Sequence, residues 1–173
     1  TSIFVVSSPA LPRLSSLTVV TTNAPITLDA VVADTISLKT TNAPIRVGTA
    51  EASRSIQVRS TNGRVEGSWK APATDVATSN AAISGAFEVH KSLAIQTSNL
   101  GIDVTVALKE GSAFDVVAKT SNGRVRVDYT EQPKGSVLTS EVTTSNQPVT
   151  VLMNPQYEGS FVVRRFPSLL WRR

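Results

Sequence analysis

The side chains that could do chemistry in this chain are few, and their spacing decides more than their number. Thirteen acidic residues would allow a paired-carboxylate lyase or hydrolase, which needs two acids converging with no cation between them. The best placed, Glu66 and Asp103, fall in a column that reads Thr27, Arg46, Glu66, Ser84, Asp103, Arg126, Thr150, each four residues after a recurring Asn. Arg46 is expected opposite Glu66 and Asp103 opposite Arg126. Cross-strand charge pairing, about 0.2–1 kcal/mol a pair, then accounts for all four, and the interposed cations also argue against a Ca²⁺ site. His90 is the only His; a multi-His metal centre is excluded, and beside Lys91 it reads as a solvated loop residue. There is no Cys, hence no thiolate site or disulfide framework. No Gly-rich phosphate loop leads into a helix. These residues name no catalytic centre, no metal and no cofactor, and the expectation is a protein that is not an enzyme.

Binding has more to work with. Lysine and arginine number 17, giving a formal net charge of +4. Lys39, Arg59 and Lys119 share an outward column three residues before the recurring Asn, and Arg54 and Arg64 are expected near Arg59. Lys39, Arg54, Arg59 and Arg64 are thus a candidate patch for an acidic glycan or anionic surface. The competing reading is a solvated face that discourages sheet-to-sheet aggregation. The cations are scattered rather than run together, so nucleic acid is not an expected partner. Repeated Thr invites an ice-binding reading. Its phase argues against that, because one Thr column points inward and the outward one turns to Ser after Thr61.

What must position these residues is a repeat. A small-residue pair followed by Asn recurs at Asn23, Asn42, Asn62, Asn80, Asn99, Asn122 and Asn146, in steps of 19, 20, 18, 19, 23 and 24 residues. Three residues after each Asn stands a β-branched residue: Ile26, Ile45, Val65, Ile83, Ile102, Val125, Val149. Four residues before it the column reads Val19, Leu38, Val58, Val76, Ile95, Ala118, Val142. By period-2 alternation these share one face, together with the Thr or Ser two before each Asn. Between the two apolar runs lie expected connectors of variable length, such as Ala30 to Asp34 and Ser68 to Pro72.

A unit of about 20 residues cannot bury its own apolar face and must stack on its neighbours. Like residues then lie about 4.8 Å apart, and the seven Asn become a turn ladder. Asn is expected there because it tolerates left-handed backbone and bonds its neighbour's amide; Gly63 and Gly123 are read as signs of a strained turn. The alternative is an antiparallel sandwich with Asn-Gly hairpins.

The fold class expected is therefore all-β: a single-domain parallel β-helix, or β-solenoid, of about seven coils of 18–24 residues. Residues 1–13 form an N-terminal strand and linker, 14–152 the repeats, and 153–173 a last strand and C-terminal cap. No apolar run reaches the roughly 20 residues of a membrane span, and the start at Thr1 reads as that of a processed chain or fragment.

The units Thr-Thr-Asn-Ala-Pro-Ile-x-Val and Thr-Ser-Asn-Gly-x-Val, followed by Tyr157-Glu158-Gly159-Ser160-Phe161, resemble the DUF4097-like adhesin β-solenoid family of bacteria and its relatives in mushroom-forming fungi. The resemblance spans Leu14 to Val163 and implies a parallel β-helix, often extracellular or surface-associated, with no catalytic residue to carry over. The chain departs from the pattern after Phe161. The expected function is a structural or adhesin-like protein at the cell surface, associating with itself end to end. Ile3, Phe4, Val5, Phe166, Leu169, Leu170 and Trp171 are the candidate assembly contacts.

Overall fold

The computed structural model describes residues 14–155 and Tyr157. Ile3, Phe4, Val5, Phe166, Leu169, Leu170 and Trp171 lie outside the described residues. Within them the chain is all-β: β1 (Leu14–Val20), β2 (Ile26–Lys39), β3 (Ile45–Arg59), β4 (Val65–Ala77), β5 (Ile83–Gln96), β6 (Ile102–Leu108), β7 (Ala113–Lys119), β8 (Val125–Glu131), β9 (Val137–Thr143) and β10 (Val149–Leu152). Every pairing is parallel, from β1 on β2 through β5. The first half of β5 then continues into β6, β8 and β10, and its second half into β7 and β9. This is a β-solenoid of about six turns, since seven Asn corners enclose six intervals. The hairpin sandwich is excluded, because it requires antiparallel neighbours.

The expected connectors are strand. Ala30 to Asp34 lies inside β2 and Ser68 to Pro72 inside β4. The chain bends there without leaving the ladder, by register shifts between Ala33 and Thr35 and between Ala71 and Ala73. Two consecutive outward residues, Gly48-Thr49 and again Ser53-Arg54, interrupt the alternation of β3 and turn it through corners.

The buried face continues seven and nine residues after the Asn, beyond the columns expected from the sequence. Beside the expected columns, Trp69, Phe87, Val89, Val106, Leu108 and Tyr129 are buried in the same cluster. Trp69 and Phe87 stack with ring centroids 6.4 Å apart. Two glycines interrupt an otherwise apolar column beside them: a Cβ on Gly67 would lie 2.6 Å from the Val47 carbonyl oxygen and 2.9 Å from the Trp69 ring, and one on Gly85 (φ 148°) 2.0 Å from the Gly67 carbonyl oxygen.

The Asn corner holds the coils in register through three parallel files of hydrogen bonds. In the first, each Asn Nδ2 donates to the Oδ1 of the Asn one coil earlier, from Asn42 on Asn23 (2.6 Å) to Asn146 on Asn122 (2.7 Å), without a break. In the second, each Asn backbone N–H donates to a carbonyl of the preceding coil, as Asn62 to Thr41 at 2.8 Å. In the third, buried Thr hydroxyls donate to the carbonyl that follows the preceding Asn: Thr97 to Ala81 at 2.9 Å, Thr120 to Leu100 at 3.0 Å.

The backbone reason expected for Asn and Gly at this corner is not the one found. Among the described residues the only non-glycine with positive φ is Glu110, and neither Gly63 nor Gly123 has it. Glycine is needed for space: a Cβ on Gly63 would sit 1.7 Å from the Ala43 carbonyl oxygen, and one on Gly123 2.0 Å from that of Leu100. Asn is used for its amide, which donates to one neighbour and accepts from the other.

Asn80→Leu should lower stability by about 1–3 kcal/mol in denaturant unfolding, because it leaves the Asn62 acceptor and the Asn99 donor without protein partners. Thr74 tests the opposite case. It is 3% exposed, replaces an aliphatic residue in the Ile36, Ile56, Leu93 column, and its hydroxyl has no hydrogen-bond partner. Thr74→Val should raise stability by about 1 kcal/mol.

Candidate functional site

Three regions carry the polar and charged groups. The first is the outer face of the strand segments that lead into the Asn corner, a shallow groove of about 410 Å³ floored by Ser37, Gln57, Ala73, Asp75, Ala94 and Asp115. Lys39 and Arg59 are direct neighbours on its rim. Arg59 grips Asp75 through both guanidinium nitrogens, Nη1 lying 2.8 Å from Oδ1 and Nη2 pairing with Oδ2. Lys119 lies 2.7 Å from Glu141. Arg64 sits across the Thr61-Asn62 corner, 3.7 Å from Glu66 and donating to Ser84 Oγ at 3.1 Å. Arg54 occupies the opposite corner, in the register break between Glu51 and Ser55. The four expected patch residues therefore span two corners, and carboxylates interrupt them.

Arg46 does lie opposite Glu66 in register, but the ion pair of Glu66 is made by Arg64, the closer cation around the corner. Asp103 has Arg126 at 3.9 Å, as expected, and Arg126 also reaches Asp128 at 3.7 Å. All these groups are about half exposed, so the pairs are weak.

The second region is the corner where the coils lengthen. His90 is not a loop residue: it sits in β5, half-buried, with Nε2 3.3 Å from Glu88 and Nδ1 3.5 Å from Glu110. Lys70 bridges Glu51 and Glu88 at 3.8 and 3.5 Å. Lys109 pairs with Glu131, whose carboxylate holds the ammonium above its ordinary range. Here Leu108, Lys109, Glu110, Glu131, Gln132, Pro133, Asn154 and Pro155 surround an open depression of about 460 Å³. Two residues before Glu131, Tyr129 is 1% exposed and bonds Ser140 Oγ at 2.6 Å. Burial pushes its hydroxyl up to about 12, while the Ser140 bond pulls the other way. The signal for this corner was present in the chain: the Asn steps grow from 18–20 to 23 and 24 residues there.

The third region is the two ends of the stack. Val149 and Val151 continue inward columns yet are 42% and 38% exposed, and Val137 is 65% exposed. The Asn file ends in a donor at Asn23 Nδ2 and an acceptor at Asn146 Oδ1, neither with a ladder partner among the described residues.

Among the described residues no group of three or more His, Asp or Glu could hold a metal ion, and no helix is long and apolar enough to cross a membrane. Comparison with protein-family models, curated proteins and solved structures returns no match to this chain.

Proposed function

We propose that this chain is a non-enzymatic structural or adhesin-like β-solenoid of the cell surface or extracellular space that associates with itself end to end. The observation that carries the reading is the polarity of the stack. At the Asn corner each coil turns its Asn side-chain and backbone amide donors toward its N-terminal neighbour and offers the Asn side-chain oxygen to its C-terminal one, so the Asn file leaves a donor at one end and an acceptor at the other. An uncovered strand edge accepts another strand, and a head-to-tail contact between unlike ends propagates into a filament. The partly exposed Val149 and Val151 add apolar area to one such end. The surface location follows from the resemblance of the Thr-Thr-Asn and Thr-Ser-Asn units to DUF4097-like adhesins.

Two alternatives draw less support. For an acidic-glycan module, Arg59, Arg64 and Lys119 already have carboxylate partners, which lowers the field a polyanion would meet. For ice binding, Thr occupies the outward column only at Thr22, Thr41 and Thr61.

Light scattering and electron microscopy of the purified chain should find linear oligomers that lengthen with concentration. Val151→Lys, or removal of residues 1–8 and 166–173, should stop the growth and leave folded single solenoids. A monomer at every concentration, indifferent to these changes, would rule out end-to-end assembly.

A further inference from the structure

We propose that the depression at the lengthened corner is a binding site for a neutral saccharide unit, independent of whether the solenoid self-associates. Its walls come from three successive coils: the end of β6 and the residues after it at Leu108 to Glu110, the end of β8 and the residues after it at Glu131 to Pro133, and the segment after β10 at Asn154 and Pro155. The added residues of the longer repeats fall here, and insertions confined to one face of a repeat array commonly build its binding surface. The volume, about 460 Å³, is within the range of small-molecule sites.

Two observations single this corner out. Glu110 holds φ at 53°, a backbone region that costs a non-glycine residue energy and that clusters at ligand sites. The conformation is imposed from both sides: Lys109 N–H donates to the Val89 carbonyl at 2.9 Å, and Gly111 passes so close to the His90 carbonyl that a Cβ would lie 2.7 Å from it. The second observation is the Gln132 amide. Its Nε2 donates to the Ser136 carbonyl at 3.4 Å, while its Oε1 is buried with no partner. A buried acceptor of this kind is normally satisfied by something.

The chemistry of the lining selects the ligand class. Glu110 and Glu131 accept hydrogen bonds and the Lys109 ammonium donates them, and the shielded Gln132 oxygen becomes a further acceptor if its side chain turns toward the depression it lines. Lys109 and Glu131 neutralise each other, so an anion meets the remaining Glu110 carboxylate and a cation finds only that one exposed charge. Hydroxyl groups donate and accept without net charge, and Pro133 and Pro155 offer apolar surface to the C–H face of a sugar ring.

The test is titration of the intact chain by saturation-transfer NMR and calorimetry. The probes are glucose, galactose, mannose and N-acetylglucosamine with their short oligomers, and glucuronic acid and glucosamine as charged counterparts. At least one neutral sugar should bind better than either charged one. Glu110→Gly and Glu131→Gln should each weaken it about tenfold or more, the effect of losing one good polar contact. Glu110→Gly should do so without lowering the melting temperature, because Gly adopts the same φ without strain. Absence of binding by every neutral sugar, tighter binding of a charged one, or parental affinity in either variant would overturn the proposal.

Discussion

The structure depends on the hydrogen bonds that run between coils at the Asn corner. A parallel stack of β-branched columns is stabilised by burial, but burial alone leaves a two-residue slip open, since Ile26, Ile45 and Val65 would still face inward after it. A shift by one residue would turn each apolar column outward. The Asn side chains, the Asn backbone amides and the buried Thr hydroxyls each permit one alignment. Directional bonds therefore supply the register, and apolar burial supplies most of the stabilisation.

Because the register is fixed at one corner, the others are free to vary. The chain bends by register shifts near Gly48 and Ser53 in β3, bends at Ala71 to Ala73 in β4, and leaves the ladder altogether after Leu108 and Glu131. The aromatic pair Trp69 and Phe87 stacks in the interior, with the Trp69 ring against Gly67. The chemistry-bearing groups gather where the constraint is weakest: Glu110 with its strained backbone, His90 between two carboxylates, and Gln132 with a buried acceptor.

Much of the architecture was legible in the chain. The seven Asn, the Ile26 and Leu38 columns and the inward Thr all follow from period-2 alternation at fixed offsets, which parallel stacking preserves. Trp69, Phe87 and Tyr129 each stand seven residues after an Asn, in phase with the Ile26 column, but were not legible as core because the first two coils put Ala30 and Thr49 at that offset, where β3 turns a corner. The role of Gly63 and Gly123 was misread for a different reason: sequence shows that a position must be small, but not whether φ or a neighbouring carbonyl demands it. His90 and the partner of Glu66 depended on how coils of unequal length meet at a corner, which no single repeat contains. The acidic counterparts of Arg59 and Lys119, Asp75 and Glu141, stand one strand along, where the register must be known before they can be paired.

Native-state hydrogen exchange at the corner bears most directly on the claim that it fixes the register. The backbone and side-chain amides of Asn62, Asn80, Asn99 and Asn122 should exchange as slowly as the core amides of Ile45 and Val65, opening only when the whole stack unfolds. Exchange of these four residues as fast as that of the exposed loop at Lys134 and Gly135, with the core still protected, would contradict it.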